Sequence, residues 1–273
     1  MVQSVEANGA RIPLLGLGTW DLRGKSCART VEEALRLGYR HIDTAAMYRN
    51  EEEVGAGLRA SGRPRGEIFV TTKVWSSDLR ARDFERSARD SLKNLKLYNV
   101  DLLLIHWPNS SIPLKETIGA LCKMKREGVA RHIGVSNFNP ALIEEAVKLA
   151  TEPLVNNQIE LHPYNDQAKT IAASRKAGLS VTAYSPIARG RVRDDALLSR
   201  IGAAHGKTAA QVCLRYLVQH GVIVIPKTSR SERLSENFAI FDFKLSPAET
   251  RQIASLAHPG GRIVEWGGTP DWD

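Results

Sequence analysis

Eight short, largely apolar runs punctuate this chain, and longer stretches with helical spacing lie between many of them. The runs are Leu15-Gly16-Leu17-Gly18, Tyr39–Ile42, Glu67–Thr72, Val100–Ile105, Arg131–Val135, Leu154–Gln158, Ser180–Tyr184 and Val222–Ile225. Runs of this length read as strands covered on both faces, the habit of parallel sheets. Parallel neighbours need a crossover of a dozen or more residues, usually a helix. Helical spacing covers Thr30 to Leu37, Ala81 to Leu95, Leu114 to Glu127, Pro140 to Leu149 and Thr208 to Gln219. Gly38, Gly128, Gly178 and Gly221 sit at helix-to-strand junctions, where a left-handed cap favours glycine.

Eight such units fill the 273 residues without a linker or low-complexity segment. They predict an α/β fold of one domain over residues 1–273, a (β/α)₈ barrel. An Asn8-Gly9 pair between Ser4–Ala7 and Arg11–Leu14 predicts an N-terminal β-hairpin, expected to plug the bottom of the barrel. Two stretches exceed the alternation, one after Tyr184 and one from Ser246 onward. They predict extra structure, including a C-terminal helix and tail. A doubly wound sheet is the alternative. It lacks the glycine-rich turn of dinucleotide-binding folds, because Gly16-Leu17-Gly18 has no third glycine and Trp20 follows.

Charge and cysteine usage narrow the function classes. The net charge is +8, from 38 Lys and Arg against 30 Asp and Glu. Arg80, Arg82, Arg86 and Arg89 lie along one helical stretch without interleaved aromatics. They read as a solvated face and not as a nucleic-acid surface, and a small anionic ligand accounts for the excess as well. Cys27, Cys122 and Cys213 form neither a disulfide framework nor a zinc cluster and read as buried free thiols. No metal is implied. No apolar stretch reaches the ~18–20 residues of a membrane helix, and no signal pattern opens the chain. A cytoplasmic, monomeric protein is expected, with no membrane or nucleic-acid partner.

Barrel enzymes place their chemistry where strand ends converge on one rim. Asp43, Lys73 and His106 stand at or just past the ends of three successive runs, and Tyr48 follows the first. A phenol near pKa ~10 is a reluctant acid, and a neighbouring ammonium favours its ionised form. Lys73 is expected to supply that ammonium, Asp43 to hold it charged, and His106 to donate a second hydrogen bond to a substrate oxygen. Singly, each residue has an ordinary structural explanation. Their conjunction at neighbouring strand ends does not.

The sequence resembles the aldo-keto reductase family. The resemblance rests on Gly-Tyr-Arg-His-Ile-Asp-Thr-Ala-Ala-Met-Tyr (38–48), Thr-Thr-Lys-Val-Trp (71–75) and Val-Asp-Leu-Leu-Leu-Ile-His-Trp-Pro (100–108). Gly-Val-Ser-Asn-Phe (134–138), Asn-Gln-Ile-Glu-Leu-His-Pro-Tyr (157–164), Ala-Tyr-Ser-Pro (183–186) and Ile-Pro-Lys-Thr-Ser (225–229) continue it in the family's order. It implies an NADPH-dependent carbonyl reductase with Asp43, Tyr48, Lys73 and His106 as the catalytic set. Tyr184, followed by Ser185, resembles the residue that stacks on the nicotinamide, and Ser136, Asn137 and Gln158 resemble its carboxamide contacts. Lys227, Thr228, Ser229 and Arg233 match the segment that meets the adenosine 2′-phosphate, and Glu236 and Asn237 the adenine contacts. Trp20, Met47, Trp75, Trp107 and Trp266 are expected around the substrate, while His162 reads as structural.

The short tail resembles those of bacterial reductases of 2,5-diketo-gluconate and methylglyoxal. The implied substrates are small aldehydes, α-dicarbonyls and keto-sugar acids. Two other functions fit parts of the pattern. One is a nicotinamide-binding sensor, the use potassium-channel β subunits make of this barrel. The other is an aldolase with a Schiff base on Lys73, which would leave the Lys227–Arg233 cluster without a role.

Overall fold

The structure, a computed structural model, describes residues 3–265 and 270–272. It opens with an antiparallel hairpin, β1 (Ser4–Ala7) and β2 (Ala10–Pro13), in which Asn8 and Gly9 take positive φ. Eight parallel strands follow: β3 (Leu17–Gly18), β4 (His41–Asp43), β5 (Phe69–Val74), β6 (Val100–Ile105), β7 (Ala130–Ser136), β8 (Leu154–Glu160), β9 (Ser180–Tyr184) and β10 (Ile223–Val224). They pair in strict sequence order from β3 to β10. The sheet curls so that its edges meet: Gly16 N donates to Val224 O (2.9 Å), Val224 N to Leu14 O (2.8 Å) and Gly18 N to Pro226 O (3.2 Å). Leu15 and Val224 form the parallel bridge at this seam. A Cβ on Gly18 would stand 2.6 Å from Ile225 O, so the seam closes only over a residue without a side chain. The expected (β/α)₈ architecture is therefore present.

The crossovers are α1 (Gly24–Leu37), α2 (Glu51–Ala60), α3 (Ala81–Leu95), α4 (Leu114–Arg126), α5 (Pro140–Leu149), α6 (Ala168–Lys176) and the pair α7 (Ala196–His205) and α8 (Ala209–Gln219). Two more helices, α9 (Ser231–Phe238) and α10 (Pro247–Ala254), follow β10. Local chemistry sets several starts. Asn139 accepts from Leu142 N ahead of Pro140, while Thr208 with Gln211 and Ser246 with Glu249 close capping boxes. Gly38, Gly128, Gly178 and Gly221 all have positive φ where helices give way to strands. The hairpin lies at the N-terminal ends of the strands, since Asn8 Nδ2 donates to Leu154 O where β8 begins (2.7 Å). Extra structure lies where the alternation lengthens: the segment after Tyr184 supplies α7, and Ser246 opens α10.

The structure shifts some boundaries. Helix α1 begins at Gly24 and not Thr30, and strand β5 runs to Val74, which places Lys73 inside the strand and not at its close. Helix α2 escaped the periodicity because Gly55 and Gly57 interrupt it. Gly55 is there for packing: a Cβ would approach Leu95 O to 2.3 Å. Helices α6, α7 and α9 are short, and α6 and α7 carry weak apolar stripes. All three cysteines are buried free thiols, and burial pushes the Cys27 thiol up to about 12.

His41 sits in the barrel with its Nε2 3.0 Å from Thr71 Oγ1, and burial lowers its pKa from 6.5 to about 4. Between these values the unfolded chain binds a proton that the folded chain refuses, so stability rises with pH across that window. The contribution is on the order of 2–3 kcal/mol between about pH 4.5 and pH 7. Urea unfolding of wild type and His41→Gln at the two pH values measures it. The variant should lose that part of the slope, and identical slopes would mean that His41 is charged in the folded state.

Candidate active site

Strand ends β4, β5 and β6 deliver three of the four residues singled out in the sequence to one place. Asp43 closes β4, Lys73 is the penultimate residue of β5, and His106 follows β6 directly. Tyr48 comes from a short 3₁₀ turn, Ala46–Tyr48, whose end is fixed by Arg49 in the left-handed region. The Arg23 guanidinium also donates to the Tyr48 carbonyl, which pins the turn to the start of α1.

Lys73 is wholly buried. Its Nζ lies 2.5 Å from Asp43 Oδ1, donates to Thr44 O at 2.9 Å and reaches Tyr48 Oη at 3.5 Å. The second Asp43 oxygen accepts from Gln158 Nε2 at 2.8 Å. Burial pulls the Lys73 pKa down, and the Asp43 charge and hydrogen bond oppose it. Glu51 adds a second carboxylate behind the pair, with Oε1 accepting from Thr72 Oγ1 at 2.6 Å. Sequence reading passed over Glu51, although its place in the acidic first turn of α2 was a usable signal.

Tyr48 corrects one expectation. The neighbouring ammonium was expected to lower the phenol's pKa, but burial raises it well above 10, with the Asp43 charge adding to the effect. Lys73 already has its anion, so Tyr48 faces an ion pair and not a free cation. His106 is buried as well, and burial, then Lys73, holds its pKa well below 6.5. The ring is therefore a neutral imidazole. Its backbone is clamped from both sides, by His106 N to Val74 O (3.0 Å) and Asn137 Nδ2 to His106 O (2.9 Å). The rings of Tyr48 and Trp75 stand edge-on to it, 5.6 and 5.0 Å away.

Around this centre, Trp20 is 44% exposed and meets the Tyr48 ring at 5.0 Å. Met47 is half-buried on the same turn as Tyr48, and Trp107 is buried against Trp272 at 6.4 Å. Trp266 lies outside the described residues. Trp272 had no periodic or motif signal to mark it. His162 is buried, with Nε2 2.9 Å from Glu160 Oε1.

The residues expected around a nicotinamide lie together at the ends of β7, β8 and β9. Ser136 Oγ donates to Gln158 O, Asn137 Nδ2 to Ser136 Oγ, and Tyr184 Oη to Asn137 Oδ1. Asn137 (φ 63°) and Ser185 (φ 49°) take left-handed backbone conformations, which for non-glycine residues gather at binding sites. A primary amide has two N–H donors and a carbonyl, so Gln158 keeps capacity for a ligand amide beyond its bond to Asp43.

Farther round the rim, Lys227 and Ser229 are exposed, Thr228 is buried and caps Arg230 N, and Arg233 is half-exposed at the first turn of α9. Partial desolvation, then the charges of Arg193 and Arg230, lower the Arg233 pKa. A cluster of cations at a helix N-terminus suits a phosphate, so the donor set fits a phosphorylated dinucleotide. Asn237 is buried, while Glu236 faces α8, where its carboxylate accepts from Thr208 Oγ1 at 2.7 Å. Arg193 and Arg230 were missed in the sequence because they belong to no quoted motif.

A closed barrel that gathers a buried lysine–aspartate pair, a phenol and a neutral imidazole at its rim defines an oxidoreductase site that acts on carbonyls. Residues 14–258 match the Aldo/keto reductase family, and the chain belongs to it. It is 38% identical over 265 residues to methylglyoxal reductase DkgB of Escherichia coli O157:H7, covering 96% of this chain and 99% of that one. It is 40% identical over 250 residues to glyoxal reductase of Bacillus subtilis (strain 168), covering 91% and 90%. Among solved structures, one assigned provisionally as 2,5-diketo-D-gluconic acid reductase B superposes with a TM-score of 0.98 at 49% identity, covering 100% and 98%. An aldo-keto reductase of Bombyx mori in complex with NADP superposes at 0.88 with 35% identity, covering 94% and 93%.

Removing one partner of a buried ion pair leaves an uncompensated charge. Asp43→Asn and Lys73→Met are each expected to cost about 3–5 kcal/mol in urea unfolding. The double variant should cost well under the sum. Additive losses would mean that the two groups do not interact in solution.

Proposed function

We propose that this protein reduces small aldehydes, α-dicarbonyls and keto-sugar acids with NADPH, with Tyr48 as the proton donor. The observation that carries the reading is the chain Tyr48 Oη to Lys73 Nζ (3.5 Å) to Asp43 Oδ1 (2.5 Å) to Gln158, in a site without solvent exposure at Lys73. Tyr184 would carry the nicotinamide ring and Ser136, Asn137 and Gln158 its carboxamide. Lys227, Thr228, Ser229 and Arg233 would hold the 2′-phosphate and Asn237 the adenine. Glu236, whose Oε1 accepts from Thr208, would meet the adenine through Oε2. Bound there, the dihydronicotinamide supplies a hydride to the carbonyl carbon.

The chain's own residues then govern the oxygen. Tyr48 Oη and an N–H of the neutral His106 ring converge on it and stabilise the charge that develops there. As the alkoxide forms, it takes the Tyr48 proton and leaves an alcohol. The ammonium of Lys73 stabilises the resulting phenolate, and Asp43 keeps that ammonium charged. The high resting pKa of Tyr48 suits this order of events. The phenol stays protonated until an alkoxide, a stronger base, is present. Trp20, Met47, Trp75 and Trp107 would wall the substrate, a typical lining for a small-molecule pocket.

Among the described residues no helix is long and apolar enough to cross a membrane. We place the enzyme in the cytoplasm as a monomer, where three buried thiols stay reduced. A pure sensor would not need the proton donor that this chain keeps. An aldolase would need a lysine free to attack, and Lys73 is held between Asp43 and Thr44.

Tyr48→Phe keeps the ring and removes the proton. Turnover of methylglyoxal with NADPH should fall by at least about 10³-fold, while NADPH affinity by fluorescence titration stays within about threefold. Retained turnover would remove Tyr48 as the donor. Arg233→Ala should weaken NADPH by about 10-fold or more and NADH much less. Equal weakening of both would take the 2′-phosphate away from Arg233.

A further inference from the structure

The tail beyond α10 is fastened to the rim in two places. Both Glu160 oxygens accept from its backbone, Oε1 from Ile263 N (2.7 Å) and Oε2 from Val264 N (2.8 Å), and Oε1 is also 2.9 Å from His162 Nε2. At the other end, Asn139 Nδ2 donates to Asp271 O at 2.9 Å. These ties set the positions of Arg262 and Trp272. The Arg262 guanidinium carbon lies 3.8 Å from the Trp272 ring centroid, a stacked cation–π pair.

The pair has unmet donors. Arg262 Nη1 and Trp272 Nε1 are both buried, and neither has a hydrogen-bond partner among the described residues. A buried donor without an acceptor is costly, and more so when it is charged. Here two stand in one stacked unit. Glu160 is near enough to act on the Arg262 charge, but its oxygens are engaged by the tail backbone and His162. Both unmet groups donate and neither accepts, so the complementary ligand group is an anion with two oxygens.

The place is also defined. Arg262 is close enough to Tyr184 to influence its hydroxyl, and Trp272 meets Trp107, the residue after His106. The pair therefore lies on the same rim, beside Tyr184 and Trp107. The cations assigned to the dinucleotide phosphate lie elsewhere, at Lys227 and along α9.

We infer that Arg262 and Trp272 form a carboxylate-recognition subsite, which selects carbonyl substrates that carry an acid group. The inference rests on the reductase reading above and narrows its substrate class. Arg262 binds the carboxylate through charge and Nη1, Trp272 adds its indole N–H, and Glu160 acts as a positioning residue by fixing the backbone beside Arg262. The phosphate of the dinucleotide is the other anionic source that the same donors could take.

Initial rates with NADPH are to be compared for 4-oxobutanoate and its methyl ester. In Arg262→Gln, kcat/KM for the acid should fall on the order of 10- to 100-fold more than for the ester, mainly through KM. Arg262→Lys should restore part of the difference, and Trp272→Phe should show a smaller loss with the same preference. An equal loss for acid and ester overturns the subsite. So does a loss confined to NADPH affinity, which would assign the donors to the dinucleotide. If the wild type reduces neither compound, the reductase reading fails. Titration of butanedioate into NADP⁺-loaded protein then decides the subsite separately: weaker binding in Arg262→Gln than in wild type supports it, and equal binding overturns it.

Discussion

An ammonium and a carboxylate 2.5 Å apart, in a part of the barrel that water does not reach, set the terms for the residues around them. Separating such charges from solvent costs several kcal/mol each, and the cost is met only when the remaining donors and acceptors find partners. Thr44 O and Tyr48 Oη complete the lysine, and Gln158 completes the aspartate. The demand reaches from β4 through β5 to β8, so strand register across the barrel is tied to one polar network. A register slip of one residue in β5 would turn Lys73 out of the barrel and leave Asp43 alone.

The same pair explains why neutral groups surround it. Tyr48 and His106 both sit where burial disfavours charge, and both remain neutral beside an already balanced pair. In the proposed mechanism, a neutral acid and a neutral donor cost little while the site is at rest and would act only when negative charge appears on a substrate oxygen. Preorganisation of this kind depends on the surrounding clamps, such as Asn137 on the His106 carbonyl and Arg23 on that of Tyr48.

Much of this was legible in the sequence, for identifiable reasons. The strands showed because parallel strands are apolar on both faces, and the strand-to-rim relation then located Asp43, Lys73 and His106. The Asn8-Gly9 turn and the four junction glycines showed because each needs a backbone conformation that few residues take. Helix α2 was hidden because close packing against Leu95 needs Gly55, which weakens the helical pattern. The direction of the Tyr48 pKa was hidden for a different reason. Proximity to a cation is visible in sequence order, but burial and prior neutralisation are properties of the packed barrel. Arg193, Arg230, Arg262 and Trp272 belong to no motif, and only the folded chain brings them to the rim.

The seam between Leu15 and Val224 has a consequence for how the molecule is made. Its two sides are roughly two hundred residues apart in the chain, and the bonds across it are few. A growing polypeptide cannot close the ring until almost all of it has left the ribosome, so the open sheet has exposed edges for most of synthesis. The last strand to arrive leads directly into Lys227 and the start of α9. A dinucleotide held there would bind only the closed ring and would stabilise closure by mass action. The metabolite that the enzyme consumes would then also act as the clasp on its newest joint.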